Sequence, residues 1–392
     1  MDIVLINYGS VKGLLMILTL DIECTTSNKG NPRDLTNKLV AIAVGLDDNF
    51  RCFAPEKLPV DWLQRKINEA DVILGFNFKF DMAWLRKFGV TFENKKIWDC
   101  QLADFIWNRQ ETPYPSLNGC AEKYGLGSKL DVIATEYWDK GINTDAIPWG
   151  ILSEYAVQDI RLTKQLYDYQ FERMPQHMKK LVHISGYDQQ VLHEMEWNGL
   201  KIDEEKSLRL AEELDNRVEE IKKQFNTFSK HPDFNWSSNN HLSALLFGGS
   251  IPVVEKEPDG VFKTGLRKGQ VKFKNVKKEI KFPRMYKPAK GTERMDKEGN
   301  PSGLYSVDEP SLVKIGKGEL IDGILEIKKL EKQNSTYYRG LPTLIKEFNW
   351  TPGMIYGTFN QCVARTGRLS SKSPNLQNLS EDTQVIFTTR YL

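Results

Sequence analysis

Three short apolar runs, ILTL at 17–20, LVAIAVGL at 39–46 and VILGF at 72–76, alternate with a stretch of helical spacing around Asp61–Glu69. Runs of this length bounded by turn residues read as buried strands, and strands interleaved with helices build an α/β layer. Residues 17 to about 92 are therefore expected to form one compact sheet domain. From Asp99 to about Met174 the spacing becomes helical, with Leu152, Tyr155, Ala156 and Asp159 on successive turns, and this stretch is expected to cover the sheet.

What composition does not explain is the charge set into this apolar frame. Asp21-Ile22-Glu23 continues directly from ILTL, and residues two apart on a strand point to one face. Two carboxylates on a core-facing side are costly unless a cation pairs them; the alternative is an exposed strand end. Asn77-Phe78-Lys79-Phe80-Asp81 follows the VILGF run at an expected strand-to-helix junction, where Asp81 is either a helix cap or a ligand. Tyr155 and Asp159 are four apart in a helix and project together.

The ordered set D-x-E, N-x-x-x-D and Y-x-x-x-D within about 140 residues resembles the tyrosine subclass of the DEDD exonuclease superfamily. The resemblance implies an RNase H-like (DnaQ-like) α/β domain that hydrolyses phosphodiesters from a 3′ end, releasing nucleoside 5′-monophosphates. Asp21, Glu23, Asp81 and Asp159 would hold two Mg²⁺ or Mn²⁺ ions, hard cations suited to oxygen ligands. Tyr155 would orient or help deprotonate the attacking water, and since a free phenol titrates near pH 10, orientation is the expected role. Asn77 would lie near the bound strand. Asp99 stands where the family often carries Asp, without an assigned role.

Further along, Leu192–Asp203 (LHEMEWNGLKID), Asn235-Trp236-Ser237-Ser238 and Lys332-Gln333-Asn334-Ser335-Thr336-Tyr337 resemble the thumb of family A DNA polymerases of phage type. Thr358–Leu379, TFNQCVARTGRLSSKSPNLQNL, is similar to the T-G-R-L-S-S…P-N-L-Q-N motif that opens that family's palm. By this resemblance Lys332, Asn334, Ser335, Thr336, Tyr337, Arg368, Ser370, Asn375, Gln377 and Asn378 would contact primer–template DNA, through sugar–phosphate and minor-groove interactions of low base specificity. In that family the motif is followed by the catalytic palm carboxylates and the fingers, and this sequence ends at Leu392. The expectation is a proofreading exonuclease that does not extend a primer alone; either a second polypeptide carries the remaining palm and fingers, as in a split polymerase, or the sequence is a shortened piece of a longer one. Its rivals are a stand-alone exoribonuclease of the same superfamily and a non-catalytic DNA-binding or assembly subunit.

Between these segments, apolar Leu210, Leu214, Val218, Ile221, Phe225 and Phe228 predict a long amphipathic helix after an Asp203 cap, and Ile321, Ile324, Leu325 and Ile327 predict a second. The intervening 251–310 is rich in Gly, Pro and Lys, with alternation at Val271–Lys274 and Ile280–Phe282 that predicts hairpins or loops. From Val261 to Lys290 there are eleven Lys and Arg against one acid, a local charge of +10 in a chain of net charge +2. That density favours direct grip on DNA phosphates; in phage relatives such an insertion is also where a processivity factor, in some cases thioredoxin, docks.

The expected order is an exonuclease domain at 1–190 (1–15 an upstream extension), a thumb at 191–250 and 311–350 with a basic insertion at 251–310, and the start of a palm at 351–392. A length of 392 residues suits two or three domains. The apolar stretch Val11–Leu20 is broken by Lys12, Gly13 and Thr19, too short for a membrane span of about 20 residues, and no secretory leader is expected. Cys24, Cys52, Cys100, Cys120 and Cys362 include no C-x-x-C pair. They are expected to be free thiols in a reducing cytoplasm, that of a bacterium or of a phage's host.

Overall fold

The structure, a computed structural model, describes residues 15–127, 132–229 and 231–390. Residues 1–14 of the expected extension lie outside this set. The contacts of the chain divide it into two compact units, one formed by residues 1–203 and 341–392 and the other by 204–340.

The first unit is built on strands β1 (Ile17–Cys24), β2 (Leu39–Leu46), β3 (Asn49–Phe53), β4 (Val72–Gly75) and β5 (Ile97–Asp99), in the order β3-β2-β1-β4-β5. The apolar runs of the sequence are β1, β2 and β4. β1 pairs antiparallel with β2 and parallel with β4. Helices α1 (Val60–Glu69), α2 (Phe78–Phe88), α3 (Cys100–Trp107), α4 (Leu117–Tyr124), α5 (Val132–Glu136), α6 (Trp149–Arg173) and α7 (Gln176–Asn198) surround it.

Strand periodicity decides what each face meets. Leu18, Leu20 and Ile22 of β1, with Ile42 and Val44 of β2, bury against Leu63 and Ile67 of α1 and Met82 and Leu85 of α2. Each such side chain contributes roughly 1.5–3 kcal/mol. The opposite face carries Asp21 and Glu23. Their cross-strand partners are Ala43 and Ala41, which pack against Leu152, Tyr155, Ala156 and Ile160 of α6. Two alanines opposite two carboxylates leave room for the α6 side chains to approach. α7 lies against β5, where a Cβ on Gly186 would stand 2.5 Å from the Ile97 carbonyl oxygen, so only glycine permits this approach.

β6 (Leu200–Ile202) follows α7 and belongs to the same unit. Its two neighbours come from the far end of the chain, as the strand pairs Met354–Ile355 and Phe387–Thr388 each align antiparallel with it. Thr358–Asn360 pairs with Ser370–Lys372 in a small hairpin inside the T-G-R-L-S-S segment.

In the second unit the expected helices are α8 (Glu204–Gln224), extended by the short α9 (Asn226–Ser229), and, after α10 (Asn239–Phe247) and α11 (Glu309–Ile315), α12 (Glu319–Gln333). Val218 and Ile221 of α8, Phe225 at the junction of α8 and α9, Leu242 and Leu246 of α10, and Ile321, Ile324 and Ile327 of α12 make its core. A two-stranded ribbon, β7 (Gly249–Val261) and β8 (Val271–Phe282), grows from this core with Ile251, Val253 and Phe282 buried at its root. The predicted hairpin is therefore one long ribbon.

Candidate metal centre and adjoining cleft

The carboxylates meet because three elements converge at the C-terminal end of β1. Asp21 and Glu23 arrive from the strand and Asp159 from α6, and one oxygen of each lies within 4.8 Å of the others. Glu23 and Asp159 are buried and Asp21 is partly exposed. Tyr155, one turn before Asp159, is buried with its ring edge-on to Trp138 at 6.2 Å.

Asp81 comes from the first turn of α2. The register of β4 along β1 ends at Thr19, so beyond that point the β1 edge needs another acceptor. Asp81 supplies it: its Oδ1 accepts the Ile22 N–H at 3.0 Å. The junction residue is thus a backbone acceptor, placed close enough to Asp21 to feel its charge. Burial first, then the Asp21 charge, pushes the Asp81 carboxyl well above the usual carboxylate range. The same field reaches the nearby thiols. Cys24 is pushed up to about 12 by burial, then by Glu23, Asp81 and Asp21, and Cys52 to about 12 by burial, then by Glu23 and Asp21.

Mutually repelling buried acids are costly unless a cation offsets them. An all-oxygen set of this size suits a hard divalent ion, whose ligands stand about 2.0–2.6 Å from it. The donor set therefore fits Mg²⁺ or Mn²⁺, and the residues that would hold it are Asp21, Glu23 and Asp159, with Asp81 beside them.

Asp99, left without a role by the sequence, holds the approach to this centre. Its Oδ1 accepts N–H bonds from Asn77 (3.0 Å), Gln101 (2.9 Å) and Leu102 (3.3 Å), and its Oδ2 accepts from Phe78 N (2.8 Å) and Gln189 Nε2 (2.6 Å). It caps α3 and pins Asn77, which takes a left-handed conformation, φ 55° and ψ 41°, of the kind asparagine tolerates better than most residues.

Asn77 opens onto a cleft of about 540 Å³ whose walls include Arg33, Lys79, Trp197, Tyr356 and Asn360. The Arg33 guanidinium lies 3.7 Å from the Trp197 ring centre and 4.6 Å from that of Tyr356. Lys79 donates to Glu196 and to the Phe359 carbonyl, and Glu196 also accepts the Phe359 N–H at 2.6 Å. Burial lowers Lys79 and raises Glu196 relative to their ordinary values, while each opposes the shift of the other. The helix carrying Asp81 is thereby fastened to the T-G-R-L-S-S segment. Lys79 and Glu196 both sit inside motifs visible in the sequence, N-F-K-F-D and H-E-M-E-W-N-G, but their pairing across 117 positions is visible only in the fold.

The other expected DNA contacts divide by exposure. Arg368, Asn375, Gln377 and Asn378 are exposed and Ser370 is half-buried; the Asn375 side chain also accepts the Gln377 N–H at 3.1 Å. Asn334–Tyr338 forms a π-helical turn that presents Ser335 and Thr336 outward and leaves Tyr337 half-buried, and Lys332, at the end of α12, is exposed. Asn334 itself is buried, with its amide donating to Ala211 O (3.1 Å) and Asp215 Oδ1 (2.6 Å). Its part in this turn is to tie it to α8.

The mixed α/β structure matches a DNA polymerase POL domain. It superimposes with a TM-score of 0.63 on the POL domain of Pol1 from M. smegmatis, determined with DNA primer-template and dNTP, at 18% identity over 94% of this chain and 54% of that one. Residues 278–391 match the family model "DNA polymerase family A". DNA polymerase I of Bacillus subtilis is 27% identical over 65% of this chain and 22% of its own length. DNA polymerase I of Synechocystis is 28% identical over 77% and 26%, and the DNA polymerase of Bacillus phage SP01 is 23% identical over 95% and 42%. The chain is a relative of the family A DNA polymerases, and it spans between about a fifth and two-fifths of the length of these three. Among the described residues, no helix is long and apolar enough to cross a membrane.

Proposed function

We propose that residues 15–203 form a metal-dependent 3′→5′ exodeoxyribonuclease of the DEDD type, the proofreading part of a family A DNA polymerase. The observation that carries this reading is the carboxylate set, with Asp21, Glu23 and Asp159 within 4.8 Å of one another and Asp81 held beside Asp21. Bound divalent ions would supply neutralisation of the phosphate charge and a more acidic water. The chain's own groups do the rest. Asp21, Glu23, Asp159 and Asp81 fix the ion positions, and Tyr155 orients the attacking water. Asn77, set in its left-handed turn by Asp99, lines the cleft through which the 3′-terminal strand would arrive, between Arg33, Trp197 and Tyr356. Residues 204–340 take the part of a thumb and 354–388 that of the start of a palm, with Lys332, Ser335, Thr336 and Arg368 placed for phosphate contacts.

The test is a gel assay of 5′-labelled single-stranded and primer–template DNA, with Mg²⁺ or EDTA and with or without dNTPs, comparing this chain with Asp21→Ala/Glu23→Ala. Stepwise shortening that needs the metal and disappears in the double variant is the expected result. Binding without shortening would replace the reading with that of a DNA-binding or assembly subunit, and shortening of RNA alone with that of an exoribonuclease.

A further inference from the structure

The basic segment of the insertion is not uniformly basic once folded. Directly paired residues of an antiparallel ribbon share a face, and the register pairs Ile251 with Ile280, Val253 with Lys278, and Glu257 with Lys274. On this face the β7 acids meet the β8 lysines. Lys278 bridges Glu255 (2.6 Å) and Glu257 (3.0 Å), while Lys272 and Lys274 lie 3.5 and 3.8 Å from Asp259. The three lysines here are neutralised.

The other face pairs Ser250 with Lys281, Val254 with Lys277, Lys256 with Asn275, and Pro258 with Phe273. Among the described residues, no carboxylate lies within ion-pair distance of Lys256, Lys277 or Lys281, although one acid, Glu279, shares the face. Val254, opposite Lys277, and Phe273, beyond Lys256 toward the turn, are 49% and 55% exposed. The connecting turn at 262–270 adds Lys263, Arg267 and Lys268, all exposed, around a fully exposed Leu266. The ribbon thus has a neutral side and a cationic, partly apolar side.

We propose that the face bearing Lys256, Lys277, Lys281 and Phe273 is a docking surface for duplex DNA, seated along the major groove. A two-stranded ribbon fits that groove, which is roughly 12 Å wide. Lys277 and Lys281 are four residues apart on one strand, so their Cα atoms stand about 13 Å apart at roughly 3.3 Å per residue. With the ribbon lying along the groove, Lys256 on β7 and the lysine pair on β8 turn their ammonium groups toward opposite rims, and Lys277 and Lys281 reach phosphates of the same rim. Between them on this face stands Glu279, opposite Pro252, while the exposed Val254 and Phe273 lie from Lys277 toward the turn, where they would face the base edges and thymine methyls offer apolar contact. Charge complementarity selects a polyanion, and the width of a paired strand selects a duplex over a single strand. This surface shares no residue with the carboxylate centre and does not depend on the exonuclease reading.

The experiment measures binding of the whole chain to a labelled 24-base-pair duplex by anisotropy across a range of NaCl, in EDTA so that no hydrolysis intervenes. Two variants with the same loss of charge are compared: Lys256→Gln/Lys277→Gln/Lys281→Gln and Lys272→Gln/Lys274→Gln/Lys278→Gln. Each phosphate contact on a duplex contributes about 0.9 to the slope of log K against log[salt]. The first variant should lose about 3 from that slope, and the second less than about 1. Matching thermal melts of the two variants guard against misfolding. Equal losses, or a full slope in the first variant, would overturn the proposal. So would loss of single-stranded dT24 binding with the duplex unaffected, or loss of poly-L-glutamate binding alone, which would point to an acidic protein partner.

Discussion

Replacing Asp99 by alanine removes the acceptor for five N–H groups at once, those of Asn77, Phe78, Gln101, Leu102 and the Gln189 amide. Loss of the α3 cap costs about 1 kcal/mol. Each buried donor left without a partner costs about 1–3 kcal/mol. Part of this is returned, because burial already raises the Asp99 pKa and the ionised carboxylate is itself a burden. The net destabilisation should be about 3–5 kcal/mol. Asp99→Asn keeps an oxygen toward Asn77, Gln101 and Leu102 and turns an amide toward Phe78 and Gln189. Gln189 can answer by turning over, since its Oε1 has no hydrogen-bond partner as it stands, so the asparagine variant should lose about 1–2 kcal/mol. Urea unfolding followed by tryptophan fluorescence measures both. Alanine and asparagine variants that cost the same, or an alanine variant within about 1 kcal/mol of the parent, would refute the view that Asp99 holds the Asn77 turn by these bonds.

Asp81 has a folded pKa above its unfolded value. The native state therefore binds its proton more tightly, and this residue's contribution to the stability of metal-free protein falls as pH rises from about 4 through the raised value. Asp81→Asn keeps an acceptor for Ile22 and should flatten that decline, giving a metal-free protein more stable at pH 8 than the parent yet inactive as a nuclease; thermal melts in EDTA from pH 4 to 8 decide it. Tyr155→Phe should slow hydrolysis by about 10²-fold or more, in the range of a lost proton-transfer or positioning group, while the rise in melting temperature on adding Mn²⁺ is retained. Gly186→Ala sets a methyl 2.5 Å from the Ile97 carbonyl and should cost about 1–3 kcal/mol, read by urea unfolding.

The elements that could be read from the sequence were those with a local signature. ILTL, LVAIAVGL and VILGF became β1, β2 and β4 because continuous apolar runs bury on both faces, and the apolar positions three or four apart became α8 and α12. The D-x-E pair and the Y-x-x-x-D turn were legible for the same reason, since two-residue and four-residue periods fix which side chains share a face. What stayed hidden depended on partners far away in sequence. Asp81 was read as a cap or a ligand, whereas the fold also gives it the open edge of β1. Asp99 gains its meaning from Gln189, 90 positions on. The stretch Val261–Lys290 reads as one cationic patch because Glu255, Glu257 and Asp259 fall just before it, and only the register of β7 on β8 shows which lysines they neutralise. Asn334 sits in a motif of exposed polar residues and is nonetheless turned inward, a choice made by Asp215 on another helix.

β6 lies between two strands that the ribosome delivers much later. Its neighbours at 354–355 and 387–388 follow it by more than 150 positions, after the 137 residues of 204–340. At roughly 5–20 residues per second, the nascent strand waits on the order of ten to forty seconds with both edges open. Unpaired edges invite pairing with other chains, so the yield of soluble protein should depend on how quickly translation passes from 204 to 388, and slow codons placed in that stretch should favour aggregation over folding.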